Sequence, residues 1–310
     1  MIASKLQKGD EIRVIAPSRS LNVVRDTIFN SALEYLENKG YRITFAENSR
    51  NIEYANSASI EERIEDLHNA FSDKNVKAIL TAIGGFNVNQ ILEYIDYSII
   101  KNNPKILCGY SDITALLNAV YAKTGLITYH GPHFSSFGFE QNKDYTNVFF
   151  EKCVAQQNDY FVTPSIEADK YIVIQEGNCE GTIIGGNLCT LNLLQGTDFM
   201  PDLQNTILFI EDDNIMGDFF IPEFERNLQS LLQVKSAKIN AIVFGRFSED
   251  CKMNVEAITQ IVKNKKMLKN IPIIFNADFG HIFPFFTFPI GGTAKISATG
   301  NQVEIIIQKH

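Results

Sequence analysis

The chain has 310 residues, of which 45% are hydrophobic and 21% are charged, so disordered and collagen-like architectures are excluded. Its 28 basic and 36 acidic residues give a net charge of −8, which argues against nucleic acid or an anionic membrane as the main partner. At roughly 150 residues per domain, this length predicts two domains.

The apolar runs and the cysteine spacing predict the cellular compartment of the protein and the redox state of its cysteines. No apolar run reaches the ~18 residues of a membrane span, and the first ten residues do not resemble a signal peptide, so we expect a cytoplasmic protein. The five cysteines are an odd number without a Cys-x-x-Cys pair. This disfavours a disulfide framework and a zinc knuckle, and we predict that all five are reduced.

The first 135 residues alternate short β-type runs with helical periods, the pattern of βαβ units around a parallel sheet. Predicted strands begin at Glu11, Tyr41, Val76 and Ile106, and each is followed by a helical period. Ser59 with Glu62 forms a capping box and predicts the start of one of these helices.

The second half of the chain has a different texture. Residues 140–175 show several aromatics but no clear period, which predicts a linker or a substrate-covering loop. Strand-like runs dominate beyond it, and only two helices are predicted, near 222–234 and 254–264. The predicted fold class is α/β, with a parallel-sheet, Rossmann-like domain over residues 1–165 and a smaller β-rich domain over residues 166–310.

Gly109-Tyr-Ser111-Asp112 joins a predicted buried strand to a predicted helix. A sharp turn in that context is typical of a nucleophile elbow, which presents a serine hydroxyl at the carboxyl edge of a sheet. The match is partial, because Ile113 stands where the Gly-x-Ser-x-Gly pattern has its last glycine. The local sequence alone favours the simpler interpretation that Ser111 or Asp112 is a helix N-cap.

The segment Gly84-Gly85-Phe86-Asn87 also follows a predicted strand and precedes a helical period. It lacks the spacing of nucleotide-binding loops. A glycine pair at this edge of a sheet can instead direct a backbone N–H toward a site, as an oxyanion donor. A turn that requires positive φ explains the two glycines equally well.

Acidic residues cluster at Glu211-Asp212-Asp213, directly after an apolar strand. A carboxylate at a strand end is placed to orient a histidine, whereas three in a row on a loop are more often solvated turn residues. No histidine or cysteine stands at ligand spacing, so a metal site is disfavoured.

His281 is the better candidate base among the five histidines, because it lies in a loop between Gly280 and Pro284. A structural role explains it equally well. His130 and His133 follow a predicted strand and are candidates for a pocket rim.

Read together, these segments resemble the serine peptidase family that contains the bacterial LD-carboxypeptidases and the microcin C immunity peptidases. The matching stretches keep the family's order along almost the whole chain: Asp10–Ser18, Ala82–Asn87, Gly109–Asp112, Gly185–Leu188, Phe209–Asp212 and Gly280–Pro284.

The resemblance implies a catalytic triad of Ser111, His281 and Glu211, with the backbone N–H groups of Gly85 and Asp112 as an oxyanion hole. It implies hydrolysis of an amide bond through an acyl-enzyme, in a site between the two domains. It also implies that the protein uses no metal or other cofactor, acts on a small peptide or aminoacyl-nucleotide substrate, and forms a homodimer.

The substrate differs between the branches of this family. The muropeptide branch tends to have Gly-Gly-Tyr-Gly where this chain has Gly-Gly-Phe-Asn at residues 84–87. This sequence is more similar to that of the microcin immunity branch, which hydrolyses aminoacyl or peptidyl nucleotide analogues. Asp213 is ambiguous, because an acidic residue soon after Glu-Asp is a muropeptide-branch feature. We therefore expect an immunity-type amidase, with Phe86, Asn87 and Asn187 as candidate substrate-binding residues. The chain has no tryptophan to stack on a nucleobase. The candidate substitutes, which a core role explains as well, are Tyr145, Phe149, Phe150, Tyr160 and Phe161.

Two alternatives stay open. The chain could be a cytoplasmic muramoyl-tetrapeptide LD-carboxypeptidase that releases a terminal D-alanine. From a different class, it could be a catalytically silent ligand-binding protein, in which Ser111 and His281 need not approach each other.

Overall fold

The computed structural model describes residues 1–140, 143–165 and 170–310, which form two sheets and their surrounding helices. The strands are β1 (Glu11–Ile15), β2 (Arg42–Phe45), β3 (Val76–Thr81), β4 (Ile106–Gly109), β5 (Thr128–His130), β6 (Tyr160–Val162), β7 (Ile172–Gln175), β8 (Gly177–Asn187), β9 (Gln204–Glu211), β10 (Lys238–Gly245), β11 (Ile273–Ala277), β12 (Phe288–Ile290), β13 (Thr293–Thr299) and β14 (Gln302–Lys309). The helices are α1 (Asp26–Asn38), α2 (Ile60–Ser72), α3 (Tyr97–Asn102), α4 (Thr114–Thr124), α5 (Lys143–Ala155), α6 (Leu188–Asn192), α7 (Phe220–Leu232) and α8 (Val255–Lys263).

The first sheet has the strand order β12-β5-β4-β3-β1-β2, and all its neighbouring pairs except β12 with β5 are parallel. Helices α1, α2 and α4 pack against it. A parallel sheet covered by helices must be apolar throughout, and every residue of β4 is buried. The prediction of a parallel, Rossmann-like sheet in the first half is confirmed.

The predicted capping box in this half is present. Helix α2 begins at the Ser59 cap, whose hydroxyl accepts from the backbone N–H of Glu62 while the Glu62 side chain accepts from the backbone N–H of Ser59. Residues Val88–Tyr94, by contrast, form a 3₁₀ helix rather than the predicted α-helix, and α3 follows only at Tyr97.

The second sheet has the order β6-β14-β13-β8-β9-β10-β11-β7. Its centre, β8 to β11, is parallel, and antiparallel strands flank it on both sides. The two predicted helices of this half are present as α7 and α8, while the short α6 was not predicted. A mixed, β-rich second half is therefore confirmed.

The segment 140–175 is more regular than its sequence predicts. Its described residues contain the 13-residue helix α5 and the strands β6 and β7, and residues 141–142 and 166–169 lie outside the described part. Helix α5 buries Phe149, Phe150, Cys153 and Val154. That spacing covers one helical face, but the neighbouring aromatic and polar residues obscure it in the sequence.

One strand crosses between the two halves of the chain. Strand β12, from the second half, pairs antiparallel with β5 and closes the edge of the first sheet. The predicted domain boundary at 165/166 adjoins residues outside the described ranges, and it stays a prediction.

The carboxyl ends of the parallel strands in both sheets meet at one place. Hydrogen bonds join the sheets there, from Asn118 Nδ2 to the Gly185 carbonyl (2.9 Å) and from the Asn187 N–H to Thr114 Oγ1 (3.0 Å). Ligand sites of open α/β folds lie at this edge of the strands. None of the helices in the described ranges has both the length and the apolar composition needed to cross a membrane.

Candidate active site

Ser111 lies in the turn between β4 and α4, and its backbone adopts a φ of +60°. A residue with a Cβ rarely takes this left-handed conformation, which stores strain unless the surrounding structure holds it. The strand, strained turn and helix together have the geometry of a nucleophile elbow. Ile113, which replaces the last glycine of the usual pattern, is fully buried beneath the turn.

The structure brings Ser111, His281 and Glu211 together across the two sheets. Ser111 Oγ lies 2.9 Å from His281 Nε2, and His281 Nδ1 lies 2.8 Å from Glu211 Oε2. Glu211 is the last residue of β9 and is fully buried, while His281 belongs to the loop between β11 and β12. A serine bonded to an imidazole that is itself bonded to a carboxylate is the arrangement that activates a hydroxyl nucleophile.

The surroundings of the His281 imidazole favour its protonated form. Burial lowers the pKa of His281, but the adjacent Glu211 carboxylate, assisted by Asp213 and Asp212, outweighs this and raises the pKa to about 9. The carboxylate on Nδ1 stabilises the imidazolium that forms when Nε2 takes the serine proton.

Asp212 and Asp213 have distinct environments beside Glu211. Burial, together with the charges of Glu211 and Asp213, raises the pKa of Asp212 to about 8. Asp213 is partly exposed, and its Oδ2 lies 4.0 Å from His281 Nε2. The Asn187 amide donates to both aspartates, at 2.9 Å and 3.1 Å. The acidic segment is therefore part of the site and not a solvated turn.

The loop 84–87 passes directly beside Ser111. A Cβ on Gly84 would lie 3.1 Å from Ser111 Oγ, and a Cβ on Gly85 would overlap Ser18 Oγ. Neither glycine has a φ in the left-handed region. The glycines are required by close approach of the backbone, and the alternative of a positive-φ turn is wrong.

Two backbone donors stand near Ser111. The N–H groups of Gly85 and Asp112 have no hydrogen-bond partner among the residues that the structure describes. The Asp112 N–H also lies in the first turn that leads into α4, where N–H groups are free and the helix dipole favours negative charge.

The Asp112 side chain does not cap its own helix. No side-chain cap bond is present at the start of the 3₁₀ turn 111–113 or of α4. The buried carboxylate instead accepts from Ser18 Oγ and from the backbone N–H groups of Asn87 and Val88. The simpler interpretation of Ser111 and Asp112 as N-caps is therefore wrong.

The side chains of the candidate substrate-binding residues differ in their exposure and in their hydrogen bonding. Phe86 is 73% exposed, next to Gly85. The Asn87 side chain is held by Ser57 and Arg63, and the Asn187 side chain is held by the two aspartates. Arg63 and the other residues that hold this loop were not singled out by sequence reasoning. For Ser18 and Arg19, the available signal was their position directly after β1, at the same sheet edge.

His130 and His133 are fully buried and do not form a pocket rim. Burial, with a smaller contribution from His281, lowers the pKa of His130 to about 3 and places that of His133 well below its usual value. His133 Nδ1 lies 2.7 Å from Thr81 Oγ1, and its ring packs 4.3 Å from the Tyr110 ring. Both imidazoles are therefore neutral packing groups beneath the elbow. Within the described ranges, no three histidine, cysteine or acidic side chains are grouped to hold a metal ion.

Comparison with known proteins agrees with this architecture. Residues 12–131 match the LD-carboxypeptidase N-terminal domain, and residues 180–296 match the LD-carboxypeptidase C-terminal domain. "Putative carboxypeptidase YocD" of Bacillus subtilis is 48% identical over 100% of both chains. The "Probable murein peptide carboxypeptidase" of the same organism is 31% identical, covering 97% of this chain and 92% of the relative.

Solved structures show the same fold. The MccF-like protein from Bacillus anthracis superposes with a TM-score of 0.97 at 45% identity, covering 100% of both chains. MccF in complex with glutamyl sulfamoyl guanosine superposes with a TM-score of 0.86 at 29% identity, covering 99% of this chain and 98% of that chain. The two domain matches cover more than half of the chain in the family's order, and the chain belongs to the LD-carboxypeptidase family of hydrolases.

Proposed function

We propose that this protein is a serine-type amidase or carboxypeptidase that cleaves an amide bond through Ser111, His281 and Glu211. The observation that carries the proposal is the pair of contacts at 2.9 Å and 2.8 Å that links the three side chains, with the serine on a strained elbow. Their residues lie far apart in the sequence, and a structural role for each separately would not align them.

The proposed mechanism has two stages. His281 Nε2 takes the proton from Ser111 as its Oγ attacks the amide carbonyl, and Glu211 holds the Nδ1–H tautomer and stabilises the charged ring. The imidazolium then gives its proton to the leaving nitrogen as the C–N bond breaks. Water, deprotonated by the same imidazole, hydrolyses the resulting acyl-enzyme and restores Ser111.

The proposed oxyanion hole consists of the backbone N–H groups of Gly85 and Asp112. Their lack of an internal partner and the contact of loop 84–87 with Ser111 support this assignment. Each such donor is typically worth about 100-fold to 1,000-fold in turnover.

For the substrate, we propose an aminoacyl or peptidyl nucleotide analogue, as for an immunity-type amidase. The similarity to MccF, solved with glutamyl sulfamoyl guanosine, supports this choice, as does the departure of residues 84–87 from the muropeptide pattern. The exposed Phe86 ring beside the proposed oxyanion hole offers an apolar surface for a base or sugar, with Asn87 and Asn187 as further candidates.

The second candidate is an LD-carboxypeptidase that releases D-alanine from a muramoyl tetrapeptide. The observation that favours it is the Asp213 carboxylate, 4.0 Å from His281 Nε2, at a position where the muropeptide branch tends to carry an acid. The similarity to a probable murein peptide carboxypeptidase points the same way.

The test uses two substrates side by side and reads the products by mass spectrometry. The purified chain is incubated with an aminoacyl sulfamoyl adenosine and with a tetrapeptide ending in D-alanine. Cleavage of the first supports the immunity-type amidase, and release of D-alanine supports the carboxypeptidase. Ser111→Ala should abolish either activity, by about 10⁶-fold in turnover, without loss of fold. Full activity in Ser111→Ala would overturn the proposal.

A catalytically silent ligand-binding role is less well supported. That alternative does not require Ser111 and His281 to meet, yet they lie within hydrogen-bond distance. We further propose, from the family resemblance, a cytoplasmic homodimer that needs no cofactor; light scattering of the purified protein tests the dimer.

A further inference from the structure

The Asp112 carboxylate is buried next to the nucleophile yet takes no part in the proposed proton transfer. It is 3% exposed, and its Oδ2 accepts three hydrogen bonds, from Ser18 Oγ at 2.6 Å and from the N–H groups of Asn87 and Val88 at 3.0 Å each. A buried charge is costly unless several donors compensate it. These donors come from the loops after β1 and β3, so the carboxylate joins three segments at the sheet edge.

The same loop is held from its other end by a cation. Arg19 Nε donates to the Gly84 carbonyl at 3.0 Å. The peptide bond between Gly84 and Gly85 is trans, so the Gly84 C=O and the Gly85 N–H point in opposite directions. A charged donor on the carbonyl therefore fixes the direction of the N–H on the opposite side of that peptide plane.

A third charged group closes the arrangement. Arg63 Nη1 donates to the Asn87 carbonyl at 3.3 Å and to the Pro17 carbonyl at 3.2 Å. Asn87 is thus bound through its N–H by Asp112 and through its carbonyl by Arg63. Gly85 therefore lies between two residues, Gly84 and Asn87, whose backbone groups are hydrogen-bonded to charged side chains.

We infer that Asp112 is a positioning residue of the oxyanion hole, whose carboxylate holds loop 84–88 so that the Gly85 N–H faces the same point as the N–H of Asp112 itself. One residue then supplies one donor from its backbone and fixes the other with its side chain. This inference rests on the proposed function, because it needs an oxyanion to form at Ser111.

The energetic consequence of losing this carboxylate falls mainly on the transition state. Oxyanion donors must be held to within about 0.5 Å of their working position. An oxyanion is absent from the bound substrate, so a displaced donor lowers kcat. The same loop carries Phe86 and Asn87, the proposed substrate-binding residues, so KM should rise as well, but by a smaller factor. A purely structural role for Asp112 would instead lower stability without this separation of kcat from KM.

The experiment uses the full chain and the substrate that the wild-type protein hydrolyses. Asp112→Ala should lower kcat about 100-fold to 1,000-fold, the loss expected for one donor, with a rise in KM of no more than about tenfold. The affinity for a boronic acid analogue of the acyl residue, which forms a tetrahedral anionic adduct on Ser111, should fall by the same factor. Asp112→Asn keeps an oxygen acceptor but loses the charge, and it should lose about tenfold in kcat because neutral acceptors bind more weakly.

The matched control is Asp66→Ala. Asp66 is another buried carboxylate in the first half of the chain that accepts a backbone N–H, from Asn48 at 3.1 Å. Its replacement should destabilise the fold to a similar extent and leave kcat and boronate affinity at wild-type values.

Several outcomes would overturn the inference. Wild-type kcat in Asp112→Ala would do so, as would a rise in KM that accounts for the whole loss, or an equal loss of kcat in Asp66→Ala. If Asp112→Ala does not fold, Asp112→Asn decides, and wild-type kcat in that variant would contradict the inference. Failure of the proposed function is distinct, because Ser111→Ala would then retain activity whatever Asp112 does.

Discussion

At the scale of single residues, the proposed chemistry depends on the pairing of His281 with Glu211. The carboxylate raises the pKa of His281 to about 9 against the opposing effect of burial. A general base acts only in its neutral form, so kcat/KM should rise with pH as His281 loses its proton.

Glu211→Gln tests this pairing. Removing the charge takes away the main influence that raises the pKa of His281, so the acid limb of the kcat/KM profile should move to lower pH. The maximal rate should also fall, by up to about 10,000-fold, because an amide does not stabilise the imidazolium. The measurement is a pH profile from 5 to 10 in both proteins, and a limb that stays in place or moves to higher pH would contradict the pairing.

At the scale of elements, helix α4 links the turn that carries Ser111 to the second sheet. Its Asn118 side chain is fully buried and donates to the Thr114 carbonyl at 2.8 Å and to the Gly185 carbonyl at 2.9 Å. The first bond lies within the helix, and the second crosses to β8. The elbow is thus tied to the sheet that carries Glu211.

Asn118→Ala should lower the free energy of unfolding by about 1–3 kcal/mol, because it leaves the buried Gly185 carbonyl without a donor. Urea denaturation measures the change. The control is Asn75→Ala at an exposed turn, which should change stability by less than about 0.5 kcal/mol. Equal effects of the two substitutions would show that the bond between the sheets contributes nothing.

At the scale of the whole molecule, the two halves of the chain depend on each other. Strand β12 completes the first sheet, and its Phe288 ring stacks on His130 of β5 at 4.5 Å. The fragment 1–165 lacks this strand and therefore exposes an apolar sheet edge, the kind that pairs with other chains.

We accordingly expect the isolated fragment 1–165 to aggregate or to unfold without cooperativity. Circular dichroism in urea, with size-exclusion chromatography, compares it with the full chain. A monomeric fragment with a cooperative transition at the midpoint of the full chain would contradict this expectation and would support the predicted boundary at 165 as a true folding boundary.

Strands and helix starts were predictable from the sequence because they depend on residues that are close together along the chain. Apolar runs ending in glycine or serine predicted the strands around the site, and the capping box predicted the start of α2. Helix α5 was missed because aromatic and polar residues around its buried face obscure the helical period. Residues 88–94 form a 3₁₀ helix where the pattern predicts an α-helix.

The sequence by itself determined the α/β fold class, the β-rich second half and the candidate residues Ser111, Glu211 and His281, through strand-end motifs and their family order. Only the tertiary structure decided that these side chains meet, because they are separated by 70 and 170 residues and lie on loops from two sheets. It also decided that the glycine pair allows close approach of the backbone and that the Asp112 carboxylate binds Ser18, Asn87 and Val88. Close approach of a backbone and a carboxylate shared between loops are properties of distant segments packed together, and no local pattern encodes them.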